Sequence, residues 1–226
     1  METIVHIGQH KTATTSLQNF LRQNRNELIE KGVFVANKIL NYTHPSHYVL
    51  NIYALAKNRY SVMKQKVLSN KGDVYLDELD KTLPNEIEKI YAEANLKNCK
   101  KILWTNEGLY LLNSKAEYEK LIGLFKPYSS KITVICCFRN LASYKTSYIK
   151  KLERRAIEPS LNKDSFSYIS DDSWLFNYTR KKNILAEVFD ECLYFDYQKE
   201  DNIKPFMQLL NIEIEGSTDF RLNITD

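Results

Sequence analysis

Short apolar runs alternate along the chain with longer segments in which apolar residues recur every three or four positions. The apolar runs predict five buried strands, at residues 3–7, 33–36, 101–105, 132–138 and 193–195. The segments between them predict helices, at residues 14–31, 48–58, 84–94, 117–125, 141–155, 174–189 and 203–210. Strands that alternate with helices in this way indicate an α/β domain with a mainly parallel sheet.

Two helix boundaries have simple chemical signals. Leu17, Phe20 and Leu28 lie on one face of the first predicted helix, and Gly32 is expected to end it. Pro84 suits the first turn of a helix, since its missing N–H is not needed there. Between residues 37 and 80 the pattern is weaker, and it predicts helix only around residues 48–58.

Composition is typical of a globular protein and indicates one domain over residues 1–226. The chain is 43% hydrophobic and 27% charged, with only 6 Gly and 5 Pro, which excludes collagen-like and low-complexity classes. The net charge of +4 suggests an anionic ligand and gives no indication of nucleic acid as a partner. No membrane span or signal peptide is apparent, and four cysteines without C-x-x-C spacing indicate reduced thiols. The predicted location is therefore cytoplasmic.

The first strand runs into a polar loop and then a helix, and this loop carries the first candidate chemistry. Lys11 lies there beside the hydroxyl side chains of Thr12, Thr14, Thr15 and Ser16. Backbone amides, a lysine and hydroxyls at a helix N-terminus suit a phosphate group; the alternative is a hydroxyl-rich helix cap with a solvated lysine. Gly8 precedes Lys11 by three residues, so the loop does not fit the Walker A pattern, and no GxGxxG occurs.

A second candidate anion site follows the strongest predicted strand. Arg139 comes directly after this strand, and Ser147 lies eight residues later on the next helix. A guanidinium can bind a phosphate through two parallel hydrogen bonds, which a lysine cannot do. Taken alone, the pair could also arise by chance, because serine is common.

The segment QHKTATTSLQ, residues 9–18, resembles the loop that binds the 5′-phosphosulfate in sulfotransferases that use 3′-phosphoadenosine 5′-phosphosulfate (PAPS). In bacterial members of that family the loop reads H-K-T-G-T-T-S-L-Q. The resemblance implies that donor-binding residues are Gln9, His10, Lys11, Thr12, Ala13, Thr14, Thr15 and Ser16. Ala13 stands where glycine is usual, and its Cβ is expected to narrow the loop.

The resemblance extends over most of the chain. Arg139 and Ser147 match the family's second signature, in which both residues hold the 3′-phosphate of the donor. Residues 194–197 and 202–212 are similar to the last strand and helix of bacterial members, and FRLNIT, residues 220–225, resembles their terminal R-x-N-x-S/T stretch. The implied fold is P-loop-like, with three layers and a central five-stranded parallel sheet.

The same resemblance suggests catalytic residues. Lys11 is implied to stabilise the leaving group. The family's cytosolic members carry a catalytic histidine in a K-T-H turn, but here Asn106 occupies that place. Glu107 resembles the S-S-E turn of bacterial members and is the first candidate for the general base, the alternative being an ordinary turn carboxylate. His47 is the second candidate and His44 the third, although such histidines are more often structural.

The sequence therefore predicts sulfuryl transfer from PAPS, without a metal, to a hydroxyl or amine of a small-molecule or saccharide acceptor. A carbohydrate is the favoured acceptor, because the motifs resemble bacterial members. Two alternatives remain: a nucleotide-dependent kinase of P-loop-like fold, and a non-catalytic nucleotide-binding module. The basic run at residues 150–155 is interpreted as a solvated face, or alternatively as a docking surface for an anionic sugar polymer.

Overall fold

Five parallel strands form one sheet, in the order β2-β3-β1-β4-β5. Their bounds are β1 Glu2–His6, β2 Val33–Val35, β3 Lys101–Thr105, β4 Lys131–Phe138 and β5 Glu191–Asp196. The computed structural model describes residues 1–214, so the FRLNIT stretch lies outside the described residues. The predicted α/β fold with a five-stranded parallel sheet is confirmed.

Helices connect the strands and cover both faces of the sheet. Their bounds are α1 Thr14–Gln23, α2 Arg25–Glu30, α3 Tyr48–Ala54, α4 Val62–Lys71, α5 Val74–Leu96, α6 Lys115–Gly123, α7 Leu141–Glu153, α8 Tyr178–Val188 and α9 Ile203–Leu209. A 3₁₀ turn, Glu107–Leu111, follows β3, and another, Lys126–Tyr128, precedes β4. Within residues 1–214, no helix combines the length and the apolar character needed to cross a membrane.

Strand register determines which loops meet. β1 lies at the centre, with His6 aligned to Thr105 of β3 on one side and to Ile135 of β4 on the other. Because all three strands run in the same direction, the segments that follow them emerge at one edge of the sheet, where ligands of such folds bind. The loop after β1, the turn after β3 and Arg139 after β4 therefore lie at a common edge.

Side chains that alternate along the strands build two hydrophobic clusters, one on each face of the sheet. Trp104 and Val134 pack with α3, α5 and α6 on one face, whereas Leu103 and Ile135 pack with α1 and α9 on the other. Neighbouring residues of a strand point to opposite faces, so burial on both sides explains why these strands are continuously apolar.

Three helix predictions differ from the structure. The first predicted helix is broken at Asn24, whose main-chain and side-chain N–H groups both donate to the carbonyl oxygen of Phe20, at 3.0 and 2.9 Å. Pro84 lies inside α5, ten residues after its start, because the buried face of Leu79, Leu83 and Ile87 continues through it. Helix α4 falls in the segment for which the sequence predicted little helix.

Candidate active site

The loop between β1 and α1 is a tight turn with two residues in the left-handed region. Lys11 has φ 68° and Ala13 has φ 55°. Gly8 is required by close packing, since a Cβ there would lie 2.7 Å from Cγ2 of Thr14. The hydroxyl of Thr12 donates to the carbonyl oxygen of Gln9 at 2.7 Å, which closes the turn. The backbone of this loop is therefore fixed by the chain's own contacts.

Gln9 links the loop to the neighbouring strands. Its side chain is fully buried; Nε2 donates to the hydroxyl of Tyr110 at 3.0 Å, and Oε1 accepts from the main-chain N–H of Arg139 at 2.8 Å. Both ends of the amide are thus used within the protein. Among the predicted donor-binding residues, Gln9 and Thr12 shape the loop.

A cavity of about 340 Å³ opens in front of the loop and is rich in cations. It is lined by His10, Lys11, Thr14, Thr15, Glu107, Lys151, Arg154 and Arg155. Lysine and arginine supply four of these side chains, and Glu107 supplies the one carboxylate in this lining. Ser16, the next residue of α1, is buried and lies outside the lining. The composition of the cavity suits a ligand with several negative charges.

Helix α1, which begins at the cavity, adds to its positive electrostatic potential. Ala13 occupies the N-cap position of α1, where its methyl group cannot accept a hydrogen bond from the first-turn amides. The N-terminus of a helix carries a partial positive charge and directs N–H groups outward. Thr14 and Thr15, which begin α1, both line the cavity, so their hydroxyls and the first turn are positioned for an anion.

Burial and the neighbouring positive charges lower the pKa values of two lysines of the site. Burial, and then the charges of Arg154 and Arg139, lower the pKa of Lys11. Burial is the main cause that lowers the pKa of Lys151 to about 7, with Arg155 adding to it. Since like charges repel in each case, an anionic ligand would relieve that repulsion.

The ring of His10, in the loop after β1, stacks on Tyr148 of α7. Its ring lies 5.9 Å from the ring of Tyr148, centre to centre, at an interplanar angle of 26°. Burial, followed by the charge of Lys151, lowers the pKa of His10 well below its usual value, so the ring is neutral near pH 7. His10 lines the cavity as a hydrogen-bonding group without a charge.

Arg139 contacts the loop directly. Its Nη1 donates to the main-chain carbonyl oxygen of Lys11 at 3.0 Å, and its Nε donates to the hydroxyl of Ser143 at 2.6 Å. The guanidinium carbon lies 4.9 Å from the ring centre of Tyr197. Ser147, the predicted partner in phosphate binding, lies one turn beyond Ser143 on α7 and is half-buried. The structure thus brings Arg139 to the loop and adds Ser143 as a contact that the sequence did not predict.

Glu107 lies at the start of the 3₁₀ turn after β3 and is held by two neighbours. Gln18 on α1 donates through Nε2 to Oε2 at 2.8 Å, and the hydroxyl of Ser46 lies 3.5 Å from the same oxygen. The carboxylate also borders a second, smaller cavity of about 120 Å³, which shares His10, Lys151 and Arg155 with the first. A base at such a boundary can reach a group in either cavity.

His47, the second candidate base, has both ring nitrogens engaged in the structure. Nδ1 accepts from the main-chain N–H of Thr105 at 3.0 Å, so Nε2 carries the proton and donates to the carbonyl oxygen of Ala36 at 3.0 Å. Burial lowers its pKa to about 4. His47 lies outside the lining of both cavities, and its ring links Ala36, the residue after β2, to Thr105 of β3. His44, the third candidate, lines the smaller cavity but is exposed.

Sequence analysis missed part of the site. The basic run was interpreted as a solvated face or a polymer-docking surface, yet Lys151, Arg154 and Arg155 line the cavity with Lys11. Helical spacing could have indicated that Lys151 faces inward. It follows the buried Tyr148 by three residues and Tyr144 by seven, which places all three on one face of α7. Gln18 ends the motif at residues 9–18, but its contact with Glu107 depends on the tertiary fold.

Within residues 1–214, the structure contains no group of three or more His, Cys, Asp or Glu side chains arranged to hold a metal ion. All four cysteines are free thiols. Cys136 and Cys137 are adjacent in β4 and lie on opposite faces, with Cys136 in the larger cluster and Sγ of Cys137 3.9 Å from Oδ1 of Asn202.

Comparison with solved structures identifies the fold. A sulfotransferase from Alicyclobacillus acidocaldarius superposes with a TM-score of 0.54 at 12% sequence identity, covering 100% of this chain and 87% of that one. The sulfotransferase domain from the curacin biosynthetic pathway gives a TM-score of 0.50 at 12% identity, covering 96% and 76% respectively. No family model matches the sequence. No curated protein matches it either. The chain has a sulfotransferase fold.

Proposed function

We propose that this protein transfers a sulfuryl group from PAPS to a hydroxyl or amine of an acceptor. The observation that carries the proposal is the contact between Arg139 and Lys11 at the edge of the sheet, with Glu107 on the adjoining turn. The two basic residues that resemble the family's two phosphate ligands lie on neighbouring loops, as one bisphosphate ligand requires. The fold shared with two sulfotransferases supports this assignment.

The reaction forms a bond between the acceptor's oxygen or nitrogen and sulfur, and breaks the bond between sulfur and the bridging oxygen of the 5′-phosphate. Adenosine 3′,5′-bisphosphate leaves, and the acceptor's proton goes to a base. Negative charge develops on the bridging oxygen, so a fixed cation beside it lowers the barrier. Lys11, the first turn of α1 and the hydroxyls of Thr14 and Thr15 are the groups that the cavity offers for this purpose.

Glu107 is the base in this proposal. Its carboxylate lies where the cation-rich cavity meets the smaller one, and Gln18 fixes its orientation with a bond of 2.8 Å. A positioned carboxylate can take a proton from an attacking hydroxyl or amine. Arg139 and Ser147 hold the 3′-phosphate in the same proposal, and Ser143, already bonded to Arg139, keeps the guanidinium in place.

The acceptor enters through the smaller cavity. That cavity adjoins the cation-rich one, and its wall combines apolar side chains, including Val62, Met63 and Leu111, with polar and charged ones, including His44 and Arg155. The carbohydrate preference predicted from the sequence gains no support from such a wall, so the proposal specifies only a hydroxyl or amine at this level.

Binding of two nucleotides tests the proposal without knowledge of the acceptor. Adenosine 3′,5′-bisphosphate and AMP differ only in the 3′-phosphate, so a site built by Arg139 and Ser147 must distinguish them. Two charge-assisted contacts give about 10²-fold tighter binding of the bisphosphate. Calorimetry should show this preference, and Arg139→Ala should remove most of it while leaving AMP affinity nearly unchanged.

Arg22→Ala is the matched control, because Arg22 is an exposed arginine on α1. This variant should retain the full preference for the bisphosphate. Equal affinities for the two nucleotides in the parent protein would contradict the proposal and favour the kinase alternative.

A further inference from the structure

The smaller cavity contains a buried hydrogen-bond acceptor without a partner. Asn106 follows β3 directly, is only 3% exposed and lines the cavity. Its Nδ2 donates to the hydroxyl oxygen of Ser46 at 2.5 Å, whereas its Oδ1 is buried and has no hydrogen-bond partner among the residues that the structure describes. Buried polar atoms are rarely left unpaired, so this oxygen calls for a ligand or a water.

Neighbouring contacts fix the orientation of the amide. The hydroxyl of Ser46 lies 3.5 Å from Oε2 of Glu107 and can direct its hydrogen to that carboxylate. Its oxygen is then free to accept from Nδ2 of Asn106, which turns Oδ1 away from Ser46. Gly108, which also lines the cavity, leaves room for Oδ1: a Cβ at this position would lie 2.6 Å from the oxygen.

Asn106 and Glu107 both line this cavity, and each side chain carries an accepting oxygen. Both contact the hydroxyl of Ser46, so they lie close together. In the proposed reaction the attacking O–H gives its hydrogen to Glu107. A hydroxyl has only one hydrogen, so the oxygen of Asn106 needs a second O–H or N–H from the acceptor.

Part of the cavity wall is suited to an apolar body, while His44, Lys151 and Arg155 are among its polar and charged lining residues. Its wall includes Val62, Met63, Leu111, Tyr148, Leu152 and Phe166. Apolar surface is favourably buried against these side chains, whereas a sugar hydroxyl directed at them would lose its hydrogen bonds to water without replacement. The small volume, about 120 Å³, favours a compact ligand.

We propose that the acceptor is a compact, mainly apolar molecule with two neighbouring hydrogen-bond donor groups, such as a vicinal diol or an amino alcohol, and that Oδ1 of Asn106 accepts from the donor that is not sulfated. This inference rests on the proposed function. It assigns to Asn106 a substrate-binding role that determines specificity.

Catechol and guaiacol test the inference, since they share an aromatic ring and differ by methylation of one hydroxyl. Calorimetry is carried out on the protein saturated with adenosine 3′,5′-bisphosphate, with glucose as a polar comparison. Catechol should bind about tenfold more tightly than guaiacol, the value of one buried hydrogen bond. Glucose should bind more weakly than either compound.

Two variants locate the effect. Asn106→Leu should reduce the preference for catechol to about twofold or less, while Asn106→Asp, which keeps an accepting oxygen, should restore it. Affinity for adenosine 3′,5′-bisphosphate should be unchanged in Asn106→Leu, which alters no charge. The comparison of the two compounds on the parent protein needs no variant, so it stands even if Asn106→Leu does not fold.

The outcomes separate the two proposals. If the bisphosphate binds but catechol shows no preference over guaiacol, or if neither compound binds, the acceptor inference is wrong and the proposed function stands. Tighter binding of glucose than of catechol would overturn the inference as well. If the bisphosphate itself does not bind, the proposed function fails and the acceptor inference fails with it.

Discussion

The guanidinium of Arg139 donates to the main-chain carbonyl oxygen of Lys11 at 3.0 Å. This bond joins the segment after β4 to the loop after β1, two strands that pair directly in the sheet. The side chain of Lys11 faces a cavity with three other cations, while its main chain holds Arg139 beside the loop. The two candidate phosphate ligands are therefore parts of one structural unit.

Lys11→Ala should abolish transfer while leaving the fold intact. The side chain of Lys11 lines the cavity and forms no part of the hydrophobic core, so its loss removes charge and little packing. Removing a preorganised contact to a developing anion lowers the rate by about 10²–10³-fold or more. The measurement is release of adenosine 3′,5′-bisphosphate from PAPS with the best acceptor from a panel of alcohols and amines.

Lys66→Ala serves as the control, because Lys66 is an exposed lysine on α4 and its loss changes the net charge equally. Activity of this variant should match the parent. A Lys11→Ala protein that retains activity within a few-fold of the parent would exclude the proposed role of Lys11.

Ala13→Gly should stabilise the protein. Ala13 has φ 55° and ψ 26°, the left-handed conformation that costs a non-glycine residue about 1–2 kcal/mol. The greater freedom of glycine in the unfolded chain offsets part of this gain. A net gain of about 1 kcal/mol corresponds to a rise in Tm of about 2–4 °C for a chain of this size. Thermal unfolding measures it.

Ala92→Gly is the matched control for that substitution. Ala92 is exposed inside α5, where the backbone is helical, so glycine should destabilise by about 1 kcal/mol. The two variants make the same chemical change and should shift Tm in opposite directions. A lower Tm for Ala13→Gly would show that the left-handed conformation is not present in solution.

Much of the fold could be predicted from the sequence because the sheet is buried on both faces. Strands β1 to β4 are then continuous apolar runs, and their ends locate the loop after β1 and Arg139 after β4. Helix α4 gave no such signal: its buried Lys64 donates to main-chain oxygens, including those of Ala56 at 2.7 Å and Arg59 at 2.9 Å. A lysine in that role looks like a surface residue in the sequence.

The site was harder to predict, since its members depend on contacts between distant segments. The neighbours of His47 in the chain suggest a candidate base, but they do not predict that its ring bonds to Thr105 of β3 and to Ala36, which follows β2. Glu107 is oriented by Gln18, 89 residues away. Residue type and local spacing could identify the loop as a candidate anion site, but not which titratable group remains accessible beside it.

Glu107→Gln should lower kcat by about 10²–10⁴-fold, which is the usual contribution of a general base. Glutamine keeps the size of the side chain and its bond to Gln18 can be remade, so affinity for adenosine 3′,5′-bisphosphate should change little. Steady-state release of that nucleotide from PAPS gives kcat, and calorimetry gives the affinity.

His47→Ala is the contrasting variant. It leaves the main-chain groups of Ala36 and Thr105 without their buried partner, which costs about 1–3 kcal/mol for each unsatisfied group. The expected result is a lower Tm with kcat within a few-fold of the parent at a temperature where the protein is folded. A large loss of kcat in His47→Ala, with little in Glu107→Gln, would move the base to His47.

Binding of the nucleotide should take up a proton at Lys151. Burial and the charge of Arg155 lower the pKa of this lysine to about 7, so at pH 8 its amine is mostly neutral in the free protein. An anionic ligand in the cavity favours the charged amine and raises its pKa, which draws a proton from the buffer. The pKa of His10 lies well below its usual value, so that ring should not titrate at pH 8.

Calorimetry with adenosine 3′,5′-bisphosphate at pH 8, in buffers of different ionisation enthalpy, should show uptake approaching one proton per nucleotide. Lys151→Met should bind without this uptake; uptake that persists in the variant would assign the proton to another group.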